Sequence, residues 1–467
     1  MKVLVTGVGA SPVAAAVAAQ LTAAGATVVT TDLVGFGRDE DSNDPSALLE
    51  GVDEVVHQPF VGEGASHEDW LDAATRSTYE LLLAASEAGV RRATLLSTMS
   101  QFLSYPANIA MAAGRQENWQ HWAPKPTPHP ASLAYHLAEF IGKQFARSGL
   151  LHVLVARVGS LHSAAHFATT AADAAADLVA ELMDGTAFDD EREANAFFGP
   201  DPSRWQVLHL HEPVTSTSPN LPPPEEDDVR GGFSRYLNTS GGSGASDGGA
   251  QRVLLLGAKG FLGPHLMGAL EEATDGQGRP AFEIIATDVA RENAGSEPED
   301  TAAWRERVLA GYDNASREVQ PLDVTDPAQV AAAARSADVI VNCAVTRFDP
   351  TLCWRVNTYG TYNAVRCAAI QGHRRFLNTG PMFGIISPAA EDFDDAITED
   401  SPCSPGLSLY AITKACGHVC TQVFAANTPG LKVLKVIFNG FFNVEDGPTD
   451  NMHGGGPGGD TPTMSIS

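Results

Sequence analysis

The stretch "RVLLLGAKGFLG", Arg252 to Gly263, decides the fold. A short apolar run closed by glycine reads as a buried strand. Glycines follow at 257, 260 and 263, and "GPHLMGALEEATDG" (263–276) then reads as a helix. "FEIIATD" (282–288) is a second strand, ending in Asp288. A strand, a glycine turn and a helix in this order form the opening of a βαβ unit.

The same order stands at the start of the chain. "KVLVTG" is a strand, "PVAAAVAAQLTAAG" a helix ending at Gly25, and "ATVVTTD" a strand ending in Asp32. Further on, "STYELLLAASEAGVRRATLLST" (77–98) parallels "GTYNAVRCAAIQGHRRFLNT" (360–379). This internal repeat organises the chain. Strands alternating with helices imply parallel βαβ units, hence an α/β protein of two tandem Rossmann-like, doubly wound parallel-sheet domains. Between them "PNLPPPEEDD" (219–228) and "TSGGSGASDGGAQ" (239–251) turn to Pro, acid, Gly and Ser. Composition of this kind marks a connection, which divides the chain into domains at 1–230 and 251–467 with a Gly/Ser-rich linker at 231–250.

The 467 residues carry a formal charge of -27, from 57 acidic and 30 basic side chains. That balance opposes non-specific binding to nucleic acid or to an anionic membrane surface. The chain opens on a strand rather than a leader, and no apolar run is long enough to cross a bilayer, so a cytosolic location is expected. All six cysteines lie beyond residue 340, without a CxxC pair, and read as buried reduced thiols rather than metal ligands. The histidine-bearing segments "QHWAPKPTPHP" and "QVLHLHEP" read as a surface loop and a strand face.

The chemistry expected of the turn follows from its glycines. The first permits a tight bend, the second lets backbone approach a dinucleotide pyrophosphate, and the third lets the helix pack on its strand with its N-terminus toward the anion. Asp288 is placed to accept hydrogen bonds from a ribose diol and to repel a 2′-phosphate, favouring NAD over NADP. Arg291 lies close to it in sequence and leaves that choice open. In the first half Ala10 and Val13 take the second and third glycine positions, where side chains crowd a pyrophosphate.

"LYAITKACGHVC" (409–420) sets Tyr410 and Lys414 four residues apart, on one face of a helix. An ammonium near a phenol favours the phenolate and makes tyrosine a usable acid and base.

Here the second half resembles the extended short-chain dehydrogenase/reductases, the NAD-dependent epimerase/dehydratase group. "GAKGFLG" matches that family's glycine turn, and "PLDVTD" (321–326) its strand end bordering adenine. "VNCAV" (341–345) matches the strand end near the adenosine ribose, and "VNTYGTYNAVRCA" (356–368) the helix bearing an asparagine. "NTGPMFG" (378–384) matches the Ser/Thr segment, and "ITEDSPCSPGLSLYAITK" (397–414) the lead into Tyr-x-x-x-Lys; the likeness runs on to "NGFFNVEDGP" (439–448). The resemblance implies that Gly257, Gly260, Phe261, Leu262, Gly263, Asp288, Asp323, Val324, Ala344, Asn357, Tyr410 and Lys414 hold NAD. It also implies that Tyr410 transfers a proton, Lys414 assists it and holds the nicotinamide ribose, and Thr379 hydrogen-bonds the reacting oxygen.

The glycine-rich tail after "NVEDGP" leaves little room for the family's substrate-binding lobe, so the resemblance does not fix the substrate. The first half resembles the same superfamily with its chemistry lost. Thr98 and Tyr135 are kept, but Glu139 stands at the lysine position, where a carboxylate raises a neighbouring phenol's pKa, and Ala74 at the asparagine position. The expected function is an NAD-dependent oxidoreductase or epimerase/dehydratase acting on a hydroxyl or carbonyl substrate, a nucleotide sugar among the candidates. The first half is then a pseudo-domain forming an intrachain pseudo-dimer with the second. The alternative is a non-catalytic, dinucleotide-binding structural or regulatory subunit of a larger assembly.

Overall fold

β-Branched and leucine-rich runs closed by glycine or an acid become the strands, and alanine-rich stretches between them the helices. The computed structural model describes residues 1–32, 45–59, 61–62, 65–102, 126–159, 169–184, 204–210, 250–290, 317–381 and 403–438. It divides into two compact units, Met1–Tyr236 and Leu237–Ser467. The linker through 249, Arg291, the segments 382–402 and 439–467, and residues 120–125 of the Pro/His loop lie outside the described residues.

In the first unit β1 (Lys2–Thr6) leads through α1 (Pro12–Ala23) to β2 (Thr27–Thr31). Next come β3 (Glu54–His57), α2 (Thr78–Glu87), β4 (Arg92–Thr98), α3 (Pro130–Arg147), β5 (His152–Val158), α4 (Ala171–Asp184) and β6 (Trp205–Leu210). The strand order is β2-β1-β3-β4-β5-β6, and every pair is parallel. Val3, Val5, Val17, Leu21 and Leu178 fill the core between the sheet, α1 and α4. Each such buried side chain contributes roughly 1.5–3 kcal/mol.

The second unit repeats the plan. It runs β7 (Gln251–Leu256), α5 (Gly263–Glu272), β8 (Phe282–Asp288), β9 (Gln320–Pro321), α6 (Pro327–Ala334) and β10 (Val339–Asn342). Then follow α7 (Thr361–Ile370), β11 (Arg375–Pro381), α8 (Leu409–Asn427) and β12 (Lys432–Phe438). The order β12-β11-β10-β7-β8-β9 is again wholly parallel. Both sheets are thus doubly wound, as the alternation of elements predicted. In such sheets the direction of winding reverses beside the first strand, and ligands bind outside the strands' carboxyl ends at that point. Here the reversal lies between β7 and β10, and between β1 and β3.

One helix is shorter than its sequence reading. α5 stops at Glu272 because Ala273 turns to extended backbone, and the following residues fold on Asp275, whose carboxylate accepts the N–H groups of Gln277 and Arg279. The Asp-Gly dipeptide at 275–276 carries that turn signal.

A π-helical segment precedes α7, Cys353–Gly360, and another precedes α2, Ala73–Ser77. Such segments are rare and concentrate at functional sites.

Candidate functional site

The carboxyl end of β7 bends at Gly257, whose φ of +84° belongs to the left-handed region. A Cβ there would stand 2.6 Å from Ala344 N, at the end of β10. At Gly263 a Cβ would drive into the Ala258 carbonyl, so this glycine lets α5 close onto the turn. Gly260 differs from both: among the described residues its Cβ would meet only Gly257 O, at 3.4 Å, an ordinary contact. Internal packing therefore explains the first and third glycines, and leaves open space beside the second. Leu262, the N-cap of α5, makes no side-chain capping bond. A helix N-terminus favours an anion.

Ala344 joins this turn to the acid–base residues. Its carbonyl accepts from Lys414 Nζ at 3.4 Å, so the glycine turn, the end of β10 and α8 converge on one residue. Lys414 is buried, and burial, with Arg347 and Lys435 nearby, pulls its ammonium down to about 8. Burial pushes the Tyr410 phenol above its usual value, against the charge of Arg347. The cation at the phenol is thus Arg347, rather than the Lys414 expected from the sequence. Thr379 is buried, and its hydroxyl donates to Asn342 O at 3.1 Å, leaving oxygen lone pairs to accept.

Asn357 sits in the π segment, fully buried. Its amide accepts from Thr346 N at 3.1 Å, and donates to Thr346 O at 2.9 Å and to Thr413 Oγ1 at 3.0 Å. It therefore ties the loop after β10 to the helix of Tyr410 and Lys414, with its own hydrogen-bonding capacity spent on protein. Gly417 of α8 lets that helix approach closely, since a Cβ there would overlap Asn357 O.

Asp288 ends β8 beside the turn, its carboxylate accepting Lys259 N at 2.6 Å and Val289 N at 2.8 Å. Asp323 accepts Thr325 N at 2.8 Å. Val324 is buried, with Gly360 so close that a Cβ there would stand 2.7 Å from Val324 Cγ2. Phe261 is half-buried in the turn and faces Arg347. The sequence readings of this site thus fall along the carboxyl ends of β7 to β11 and on α8, with Asn357 behind them as a tie.

At the corresponding edge of the first unit the turn has the same backbone. Gly7 N bonds Thr31 O as Gly257 N bonds Thr287 O, and Ala10 N bonds Gly7 O as Gly260 N bonds Gly257 O, at 3.2 Å in both. Gly9 N donates to Asp32 as Lys259 N does to Asp288. The surroundings differ. Ser11 Oγ caps α1 by accepting Ala14 N, whereas α5 has Pro264, without an N–H, at the corresponding position. Gln58 reaches across from the end of β3, its amide carbonyl 3.4 Å from Ser11 Oγ and its amide donating to the Tyr135 hydroxyl at 2.9 Å. It spans from turn to tyrosine.

Glu139 does not act on the phenol as the sequence predicted. Burial is what pushes Tyr135 up to about 12. The Glu139 carboxylate is instead clasped by Arg157 at 3.0 and 2.7 Å, by Ser97 Oγ at 2.5 Å and by Gln101 Nε2 at 2.8 Å, and Arg157 with these hydrogen bonds outweighs burial to hold its pKa low. Thr98 Oγ1 accepts Ser100 N, and Ala74 packs with Ala134 and Ala138. Gln58, Arg157 and Arg347 carried no motif signal; each acts on a partner distant in sequence.

Residues 253–453 match the model of the NAD dependent epimerase/dehydratase family. No curated protein matches the chain. Among solved structures, a mutated uronate dehydrogenase is 17% identical, with a TM-score of 0.30 over 39% of this chain and 56% of its own. A UDP-glucuronic acid 4-epimerase from Bacillus cereus, solved with NAD, is 19% identical, with a TM-score of 0.31 over 40% of this chain and 55% of its own. A dTDP-glucose 4,6-dehydratase from Streptomyces venezuelae, solved with NAD, is 24% identical, with a TM-score of 0.30 over 40% of this chain and 55% of its own. The chain thus spans little more than half the length of these structures. Among the described residues no helix is long and apolar enough to cross a membrane.

Proposed function

We propose that the second unit is an NAD-dependent oxidoreductase or epimerase/dehydratase acting on a hydroxyl or carbonyl substrate, a nucleotide sugar by analogy with the family. The observation that carries this reading is the convergence on Ala344 of the glycine turn and the Tyr410–Lys414 helix. NAD fits the residues present: open space beside Gly260 and the uncapped start of α5 suit a pyrophosphate, and Asp288 suits a ribose diol. When bound, the nicotinamide supplies or accepts a hydride. Tyr410 takes the substrate hydroxyl's proton in the oxidising direction and returns it in the reducing one. Thr379 hydrogen-bonds the reacting oxygen, and Lys414 holds the ribose.

The first unit is proposed to be a degenerate, non-catalytic copy, retained as the second unit's partner within the chain. Gln58, the Ser11 cap and the Glu139–Arg157 pair support this reading, because they tie the turn, the tyrosine and the residue at the lysine position to partners within the first unit.

Calorimetric titration of the full chain with NAD and with NADP tests the proposal. One NAD per chain, with NADP weaker, is expected. Two per chain overturn the degenerate copy, and none moves the reading to a structural subunit. Turnover of a screened substrate is expected to vanish in Tyr410→Phe with the fold kept, and unchanged turnover removes Tyr410 from the mechanism.

A further inference from the structure

Arg347 lies in the loop after β10, one residue beyond the Thr346 peptide that Asn357 holds on both sides. Its guanidinium carbon stands 4.8 Å from the centroid of the Tyr410 ring and 5.8 Å from that of Phe261 in the glycine turn. Among the described residues no carboxylate forms a salt bridge with it. Asp349, two residues on, instead caps the next helical turn through Leu352 N at 2.8 Å. In a chain of net charge -27, an arginine set between two aromatic rings, with no acid paired to it among the described residues, is placed for something other than ion pairing.

The groups facing the phenol decide what that is. Lys414 shares its helix, Cys353 faces it as a neutral thiol, and Cys343 and Lys435 stand by Lys414. Lys414 releases its proton easily, at about 8. A guanidinium keeps its proton throughout the working range of proteins. The permanent positive charge at Tyr410 is therefore that of Arg347.

We propose that Arg347 is a positioning residue for Tyr410: clasped between the glycine turn and the ring, it orients the phenol and supplies the fixed charge that favours the phenolate. This rests on the acid–base reading of Tyr410 given above. Lys414 is then released for its contact with Ala344 and, with dinucleotide bound, for the ribose.

The test places a fluorinated tyrosine at 410 in the full chain, its more acidic phenol bringing ionisation into the neutral range. Fluorine NMR follows the titration in the otherwise native chain, in Arg347→Gln and in Arg347→Lys. In Arg347→Gln the midpoint is expected to rise by about one pH unit or more, a tenfold loss of phenolate at a given pH. Arg347→Lys is expected to keep at least half of the effect. Arg347→Met, which retains the aliphatic stem against Phe261, repeats the measurement if glutamine disturbs the loop. An unmoved midpoint in a folded neutral variant overturns the proposal, as does a lysine variant shifted as far as glutamine. The titration uses neither dinucleotide nor substrate. Its failure discards the role of Arg347 and leaves the proposed NAD site standing, whereas absence of NAD binding discards that site and leaves the phenol shift as measured.

Discussion

Replacing Gly260 by alanine separates binding from folding at the glycine turn. Among the described residues the added methyl meets nothing closer than Gly257 O at 3.4 Å, and Gly260 has no left-handed φ that would penalise it. The first unit carries the same exchange already, since Ala10 makes the bond to Gly7 O that Gly260 makes to Gly257 O. Stability should therefore change by less than about 0.5 kcal/mol. The methyl does occupy the space reserved for a pyrophosphate, and one or two displaced charge-assisted hydrogen bonds cost about 1.5–3 kcal/mol, roughly ten- to hundredfold in affinity. Gly257→Ala is the converse control. It forces alanine to a φ of +84° and puts its Cβ 2.6 Å from Ala344 N, so about 2–6 kcal/mol of stability should be lost. Thermal unfolding and calorimetric titration with NAD on the three proteins decide the matter. If Gly260→Ala binds NAD as the native chain does, the space beside Gly260 is not the phosphate site. If it unfolds as readily as Gly257→Ala, the packing argument fails.

Other consequences are open to measurement. Lys414→Met should abolish turnover yet raise the melting temperature at neutral pH, because a lysine with a depressed pKa weakens the fold while charged. That gain should fade as pH rises from about 8 toward the unfolded value near 10.5, and a melting temperature that falls instead contradicts the burial argument. Arg157→Ala should cost about 3–5 kcal/mol in chemical denaturation, since it strands the Glu139 carboxylate in the interior, whereas the double variant Glu139→Leu/Arg157→Leu should lie closer to the native chain. The stability Glu139 contributes is present above its unfolded pKa and lost as pH falls through its lower folded one, so the native chain should lose more stability on acidification than the double leucine variant does. Gln58→Leu removes the donor to the Tyr135 oxygen and is expected to raise that phenol's pKa further in an ultraviolet titration, and an unmoved midpoint would show that the bond across the first turn is not formed.

Much of this was written in local pattern. Strands such as β8 and turns such as Gly257–Gly263 depend on neighbours close in sequence, so Asp288 and the three glycines could be placed before any coordinates. Tyr410 and Lys414 shared a helix face by spacing alone. What sequence did not disclose depends on long-range closure: Gln58 meets Tyr135 from 77 residues away, and Arg347 meets Tyr410 across the fold. Glu139 shows the limit from the other side. Its position in the helix was legible, but its partner Arg157 belongs to another strand, and that partner decides which group the carboxylate serves.

The π segment at Cys353–Gly360 sets the phase of everything tied to it. Deleting one residue there would return the run to regular helix and swing Asn357 by roughly 100° about its axis. Its amide would then release both the Thr346 peptide and the Thr413 hydroxyl, uncoupling the Arg347 loop from the Tyr410 helix in one stroke. The segment thus works as a clutch plate: one surplus residue keeps two otherwise independent parts of the site turning together.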